Sequence, residues 1–341
     1  MIIAHIITEL EKIAPPVYQE NYDNAGLLTG NAEWACSGVV IALDATEAVI
    51  LEAFQKGANL VIAHHPIIFG GLKKINGKNY VEKAVIAAIK HDIAIYAIHT
   101  NLDNVIHGVN GRIADRLGLI NRSVMLPRQN TIRKIAVFVP PAHLEKVRNA
   151  LFSAGGGHIG QYSECSFQSE GEGSFRAGAG ASPFVGTVGQ RHYEPETRLE
   201  MVFPAHLESA LVAALKLNHP YEEVAYDIFP IINTIEQVGS GMVGELPEPV
   251  AEPAFLEVLK NVFKVPVVRH TPLTGKPVQR VALCGGAGSF LVSKALQFKS
   301  DFYITGDMKY HEFFDANDRL VIADVGHFES EQYTVDLLYD I

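Results

Sequence analysis

Two stretches of the chain repeat one pattern, and that pattern limits the possible folds more than any other feature. SGVVIALDATEAVILEAFQKGANLVIAHH (Ser37 to His65) reads as an apolar β-branched strand, a helix with apolar residues at helical spacing, and a second apolar strand. VQRVALCGGAGSFLVSKALQFKSDFYITGD (Val278 to Asp307) reads as strand, glycine turn, helix and strand in the same order. Strands without polar alternation need cover on both faces, which strand–helix–strand units provide around a sheet of the α/β class. The spacing predicts two related α/β halves, residues 1–129 and 234–341.

Between them the texture changes. TIRKIAVFVPPAHLEKVRNALFSAG and RLEMVFPAHLESALVAALKLNHP are each strand, turn and helix, and each is followed by strand-like residues. They share the string PAHLE at Pro141–Glu145 and Pro204–Glu208, about 63 residues apart. Two tandem units of this kind predict an inserted ferredoxin-like (α+β, βαββαβ) domain over residues 130–233, closed by the Gly/Pro-rich junction QVGSGMVGELPEP.

Composition excludes several function classes. A formal net charge of -10 argues against a general nucleic-acid binder, which needs a basic face for phosphates. No apolar run approaches the ~18 residues that span a bilayer, and the N-terminal MIIAHIITELEKIAPP reads as an amphipathic helix rather than a signal peptide. Cys36, Cys165 and Cys284 lie far apart without CxxC spacing, and are expected to be reduced, mostly buried thiols of a cytoplasmic protein.

Three predicted strand ends carry groups capable of chemistry. LVIAHHP ends a core strand in His64 and His65, and Pro66 turns the chain away. Taken alone, such a pair is as readily one buried and one exposed histidine. YAIHTNLDNV ends a strand in His99, with Asp103 close behind; Asn and Asp are also common turn residues. ADVGHFESE ends a strand at Gly326 and starts a helix whose His327 and Glu331 share one face at i, i+4 spacing. Acidic residues in a first helical turn also have a purely structural use.

Ligands bind at the carboxyl ends of strands in α/β sheets, so the three motifs are expected to meet. His64, His65, Asp103, His327 and Glu331 are too many for one zinc with an open position. They suit two divalent ions about 3.5–4 Å apart, bridged by a carboxylate and a water that serves as nucleophile. Imidazole and carboxylate ligands accept zinc, iron or manganese alike. The glycine-rich CGGAGSF turn lacks a phosphate-loop pattern and reads as tight strand–helix packing.

The strings ENYDNAGLLTG, VIAHHPIIFGGLKKI, IHTNLDNV and DVGHFESE resemble those of the Nif-three-like dinuclear metal-centre proteins, whose members carry the description GTP cyclohydrolase I type 2 homologue. The resemblance covers both outer segments, and the middle segment is similar to the CutA/PII-like domain inserted in long bacterial members. It implies a homohexameric ring with metal sites facing an interior cavity. Carried over by position, it implies His64, His65, Asp103, His327 and Glu331 as ligands, with Glu331 bridging. His99 is implied as a supporting group or substrate-facing acid/base, and Asp307 as an acidic residue near the site.

The leading expectation is a metal-dependent hydrolase using a metal-bridging hydroxide on a nucleotide-type small molecule, with GTP ring opening suggested by the resemblance. Phosphoester cleavage is an alternative, in which Lys73 and Lys74 would help hold the phosphate. A non-catalytic hexameric metal-binding regulator or scaffold is another, and metal storage or delivery a third.

Overall fold

The computed structural model describes every residue from Met1 to Ile341. The chain divides into two compact units, one made of Met1–Arg128 with Glu236–Ile341 and the other of Gln129–Ile235.

The first unit holds two sheets. Its N-terminal sheet contains β1 (Gly26–Thr29), β2 (Val39–Asp44), β3 (Leu60–His65) and β4 (Ala94–Ala97) in the order β1-β4-β3-β2. β2, β3 and β4 are parallel, and β1 is antiparallel to β4. Helices Glu47–Gln55 and Tyr80–Lys90 make the crossovers, and each begins where the sequence supplies a cap. Thr46 accepts from the Val49 amide, and Asn79 accepts from the Glu82 amide. Leu60 to His64 are all buried, as is every residue of β4. Ile50, Ala53, Ala84 and Ala88 of the helices pack on Val61, Ala63 and Ile95 of the strands. Each large aliphatic side chain removed from water here contributes about 1.5–3 kcal/mol. That packing leaves only the strand ends free to carry polar work.

The second sheet contains β5 (Ile120–Pro127), β10 (Gly239–Ala251), β11 (Arg269–His270), β12 (Pro277–Ala287), β13 (Phe302–Gly306) and β14 (Val321–Asp324). Its order is β11-β14-β13-β12-β10-β5, with β12, β13 and β14 parallel. Both sheets thus carry a three-stranded parallel core and differ in what is added at the edges. β5 precedes the middle segment and by chain order stands with the first sheet, yet it pairs antiparallel with β10 of the second. Val124 and Met125 are buried there, which gives β5 a place that sequence proximity alone does not indicate. Pro127 and Gly239 are register partners, so the second unit leaves and rejoins the chain at two adjacent strands.

In the second unit, β6 (Ile132–Val139), β7 (Phe167–Arg176), β8 (Arg191–Pro204) and β9 (Tyr226–Pro230) form an antiparallel sheet ordered β7-β8-β6-β9. Helix Leu144–Ser153 follows β6, and helix Glu208–Asn218 follows β8. Each PAHLE string forms the short 3-10 turn through which a strand passes into its helix. Val147, Leu151, Leu211 and Leu215 of these helices pack on Ile135, Val137, Leu199 and Phe203.

One expectation about the thiols needs correction. Only Cys284 is buried, while Cys36 and Cys165 are half-exposed, because both of the latter lie outside the packed strands and helices.

Candidate metal centre

The ends of β3, β4 and β14 bring the predicted residues together within the first unit. His64 and His65 close β3, His99 follows β4, Asp103 ends the short helix Thr100–Asp103, and His327 opens the helix His327–Glu331. The ring nitrogens of His64, His65 and His99 form one group whose ligand atoms all lie within 4.8 Å of one another. His65, His327 and Glu331 form a second group by the same measure. His65 belongs to both, so the two groups are contiguous.

Glu331 sits at the centre. Its Oε2 lies 2.9 Å from His65 Nε2 and 3.2 Å from His327 Nε2, and its Oε1 lies 3.8 Å from His64 Nε2. Room for it comes from Gly286, whose φ is +64° and where a Cβ would stand 2.4 Å from Glu331 Oε1. The glycine turn CGGAGSF therefore has a use beyond strand–helix packing: Gly286 clears space for a carboxylate. Two atoms facing this space are buried without any hydrogen-bond partner, His64 Nε2 and Asp103 Oδ1, and they lie 3.6 Å apart.

Each imidazole is held from behind. His64 Nδ1 lies 2.9 Å from the Ile98 carbonyl and His65 Nδ1 lies 2.9 Å from Asp44 Oδ1. His99 Nδ1 is 2.8 Å from Asp23 Oδ1, and His327 Nδ1 is 2.8 Å from Asp307 Oδ2. Four acceptors thereby take up the Nδ1 protons, so that each Nε2 can serve a metal once its own proton is displaced. Metal-binding histidines are commonly oriented in this way. Asp307 reaches its partner from a left-handed backbone conformation (φ 55°), which aspartate tolerates better than most residues. Asp23 is itself fixed, accepting from the Thr100 amide at 3.0 Å and from the Thr100 hydroxyl.

Asp44 and Asp23 were not identified as site residues from sequence. Asp44 could have been, because it ends β2 in parallel register with His65. Asp23 lies in a loop before β1, inside the ENYDNAGLLTG string that carries the resemblance, but nothing in that string points to His99 as its partner.

With protein groups alone as partners, the cluster has strongly displaced protonation equilibria. Burial opposes charge on His65, but hydrogen bonds to Asp44 and Glu331 outweigh it and hold the imidazole at about 10. The hydrogen bond to Glu331 is the main influence on His327, which rises to about 9 with further help from Asp307. Burial also opposes charge on Glu331, yet His327, His65 and the nearby His64 keep it well below the usual carboxylate range. Asp103 goes the other way: burial lifts it to about 6 against the attraction of His64. Burial likewise raises the Cys284 thiol well above its ordinary value, which makes it a poor thiolate donor to the site.

The cluster opens into a cavity of about 540 Å³. His65, His99, Asp103, His327 and Glu331 line it, whereas His64 lies behind them, fully buried. Lys73 and Lys74 are exposed and do not line the cavity, because the chain after Gly70 runs over the surface. The expectation that they hold a phosphate there is not met.

The sequence model of the family described as Duf34/NIF3 (NGG1p interacting factor 3) matches residues 1–341. A Bacillus subtilis (strain 168) protein named GTP cyclohydrolase 1 type 2 homolog is 41% identical over 325 residues, covering 95% of this chain and 87% of that protein. A Bacillus cereus protein related to NIF3 has a crystal structure that matches with a TM-score of 0.84 at 40% identity, covering 100% of this chain and 93% of that one. The crystal structure of Staphylococcus aureus SA1388 matches with a TM-score of 0.77 at 29% identity, covering 99% and 90%.

Proposed function

The chain belongs to the Duf34/NIF3 family, and on that premise we propose that the histidine–carboxylate cluster is the two-metal centre of a hydrolase. The observation that carries the reading is the pair His64 Nε2 and Asp103 Oδ1, buried, 3.6 Å apart and without hydrogen-bond partners. An unsatisfied buried polar atom costs about 1–3 kcal/mol, and two facing each other amount to an uncompensated defect unless a cation lies between them. The donor set fits: imidazole nitrogens and carboxylate oxygens suit zinc, iron or manganese.

His64, His65, Asp103, His327 and Glu331 would hold the ions, and Glu331 approaches three of the imidazoles at once. Divalent ions bound there would act as Lewis acids and bring a coordinated water's pKa toward neutrality. The protein's own contributions are orientation and proton handling. Asp44, Asp307 and the Ile98 carbonyl fix the ligand tautomers. His99, braced by Asp23, keeps Nε2 toward the cavity, where it can accept a proton from the reacting centre or return one. The substrate class we propose is a nucleotide-type small molecule, with ring opening of the kind named for the relatives.

The test is metal content per chain in the protein as purified, for wild type, Glu331→Ala and His65→Ala, beside turnover of GTP and of a simple phosphodiester. About two ions per chain, lost in the variants together with hydrolysis, is the expected result. Two ions with no turnover of either substrate would favour a non-catalytic regulator instead. That second reading has one observation of its own, a cavity of about 700 Å³ in the second unit, lined by Phe138, Phe175, Phe184 and Tyr221 and by Glu196. On the strand order and the paired PAHLE turns, this unit is proposed to be a CutA/PII-like module, and the assembly a homohexamer, which sedimentation velocity would test.

A further inference from the structure

The walls of the metal-centre cavity contain no lysine or arginine side chain. Their fixed negative charges are Glu20, Asp44, Asp103 and Glu331. Arg128 is tied to the lining residue Glu20 at 2.8 Å and does not itself line the space. Phosphate recognition relies on arginine forks, lysine or clustered amides. Any phosphate entering here would have the metal ions as its one strong attraction, with carboxylates and neutral groups such as Thr46, Asn110 and Ser240 around it and no cationic side chain.

What the walls offer instead is aromatic surface. Tyr22, Phe69, Tyr80 and Phe290 all line the cavity and are 66%, 52%, 71% and 58% exposed. Large apolar side chains scattered singly over a surface are unremarkable, but four around one concave site form a patch of the kind that marks binding. Tyr22 and Phe69 lie nearly parallel, 20° apart with ring centroids separated by 6.5 Å. Phe69 in turn meets His99 edge-on at 5.7 Å.

Building on the two-metal reading above, we propose that this cavity selects a planar heteroaromatic ring of the purine type, gripped by Tyr22 and Phe69, with no requirement for a phosphate. Among hydrolytic reactions this favours cleavage of a ring C–N bond over cleavage of a phosphoester. Such a step adds one water: its oxygen becomes a carbonyl oxygen on the carbon between two ring nitrogens, one C–N bond breaks, and both protons of the water finish on those two nitrogens. No redox partner is needed.

The experiment is isothermal titration of the protein as purified, its metal content measured on the same sample. The probes are guanosine, adenosine, GTP and inorganic phosphate, and the proteins are wild type, Tyr22→Leu, Phe69→Leu and the double variant. At least one nucleoside should bind, GTP should bind no more than about threefold tighter than guanosine, and phosphate, left with the metal ions alone, should bind more weakly than that nucleoside. The double variant should weaken nucleoside binding at least about tenfold, the loss expected for one base–aromatic stack, with metal content and sedimentation unchanged. Binding of neither nucleoside, GTP preferred over guanosine by more than about threefold, or a double variant weakened less than about tenfold would each overturn the inference while the metal content stands. Absence of stoichiometric metal would remove the two-metal reading, and this inference with it.

Discussion

Asp44 and His65 end neighbouring parallel strands as register partners, and their side chains meet with Oδ1 of Asp44 2.9 Å from Nδ1 of His65. The opposite nitrogen of the same ring, Nε2, lies 2.9 Å from Glu331. One imidazole thus links a strand end to the centre of the cluster, and its orientation is set by a carboxylate on the side of the ring opposite Glu331.

Asp44→Asn should therefore leave the fold intact and weaken metal binding. Loss of a carboxylate behind a ligating histidine typically costs about 10–100-fold in affinity. Competition with a chelating dye, read for wild type and variant, measures it; equal affinities would show that Asp44 has no part in holding the ring.

The displaced protonation equilibria predict how the metal-stripped protein responds to pH. A histidine raised above its unfolded value of about 6.5 contributes its full stabilisation below that value and loses it as pH climbs through the folded value. For His327 and His65 the folded values are about 9 and about 10. Asp103, lifted to about 6, adds to the same trend at lower pH, because its folded form favours the proton. Glu331 has the opposite sign, and its contribution disappears on acidification below the ordinary carboxylate range. The Tm of protein dialysed against a chelator should fall steadily between about pH 6.5 and 10. Metal competes with the same protons, so the Tm increment on adding metal should grow over that interval. Scanning calorimetry across the range, with and without metal, reads both trends; a flat Tm for the stripped protein would contradict the ion-paired arrangement.

Gly286→Ala places a methyl group where Glu331 now lies. The left-handed backbone adds about 1–2 kcal/mol of strain for any residue with a Cβ, and the 2.4 Å approach to Oε1 forces the carboxylate aside. The expected outcome is a modest loss of stability in urea and a large loss of metal content. Full metal occupancy in a folded variant would mean that Glu331 is not needed in its present position.

Phe255 is fully buried and meets Phe302 edge-to-face with ring centroids 5.0 Å apart. Phe255→Ala should cost about 3–5 kcal/mol in urea unfolding, the range for removing a large aromatic from a packed core. It lies outside the cluster, so folded variant protein should keep its metal. A loss under about 1 kcal/mol would mean that the site repacks, which dense interiors rarely permit.

Much of the architecture was legible because its causes are local. Apolar β-branched runs and helical spacing identify the elements on either side of β3, whereas the caps Thr46 and Asn79 were recognised only in the structure. The histidines stand out because imidazole at the end of a core strand has few structural uses. Gly286 was read only as a packing glycine, since nothing in CGGAGSF reveals that Glu331, far along the chain, needs the space. Asp23 was missed for the same reason, its partner His99 lying 76 residues away in sequence.

By itself, then, the sequence determined which residues form strands and helices and which strand ends carry chemically capable groups, because periodicity, capping and turn chemistry act over a few residues. Tertiary structure decided what those groups do. It joined β5 to the second sheet, set Asp44 behind His65, and brought Glu331 across 266 residues to His65. Such juxtapositions depend on how whole sheets pack and register, and no short window of sequence holds that information.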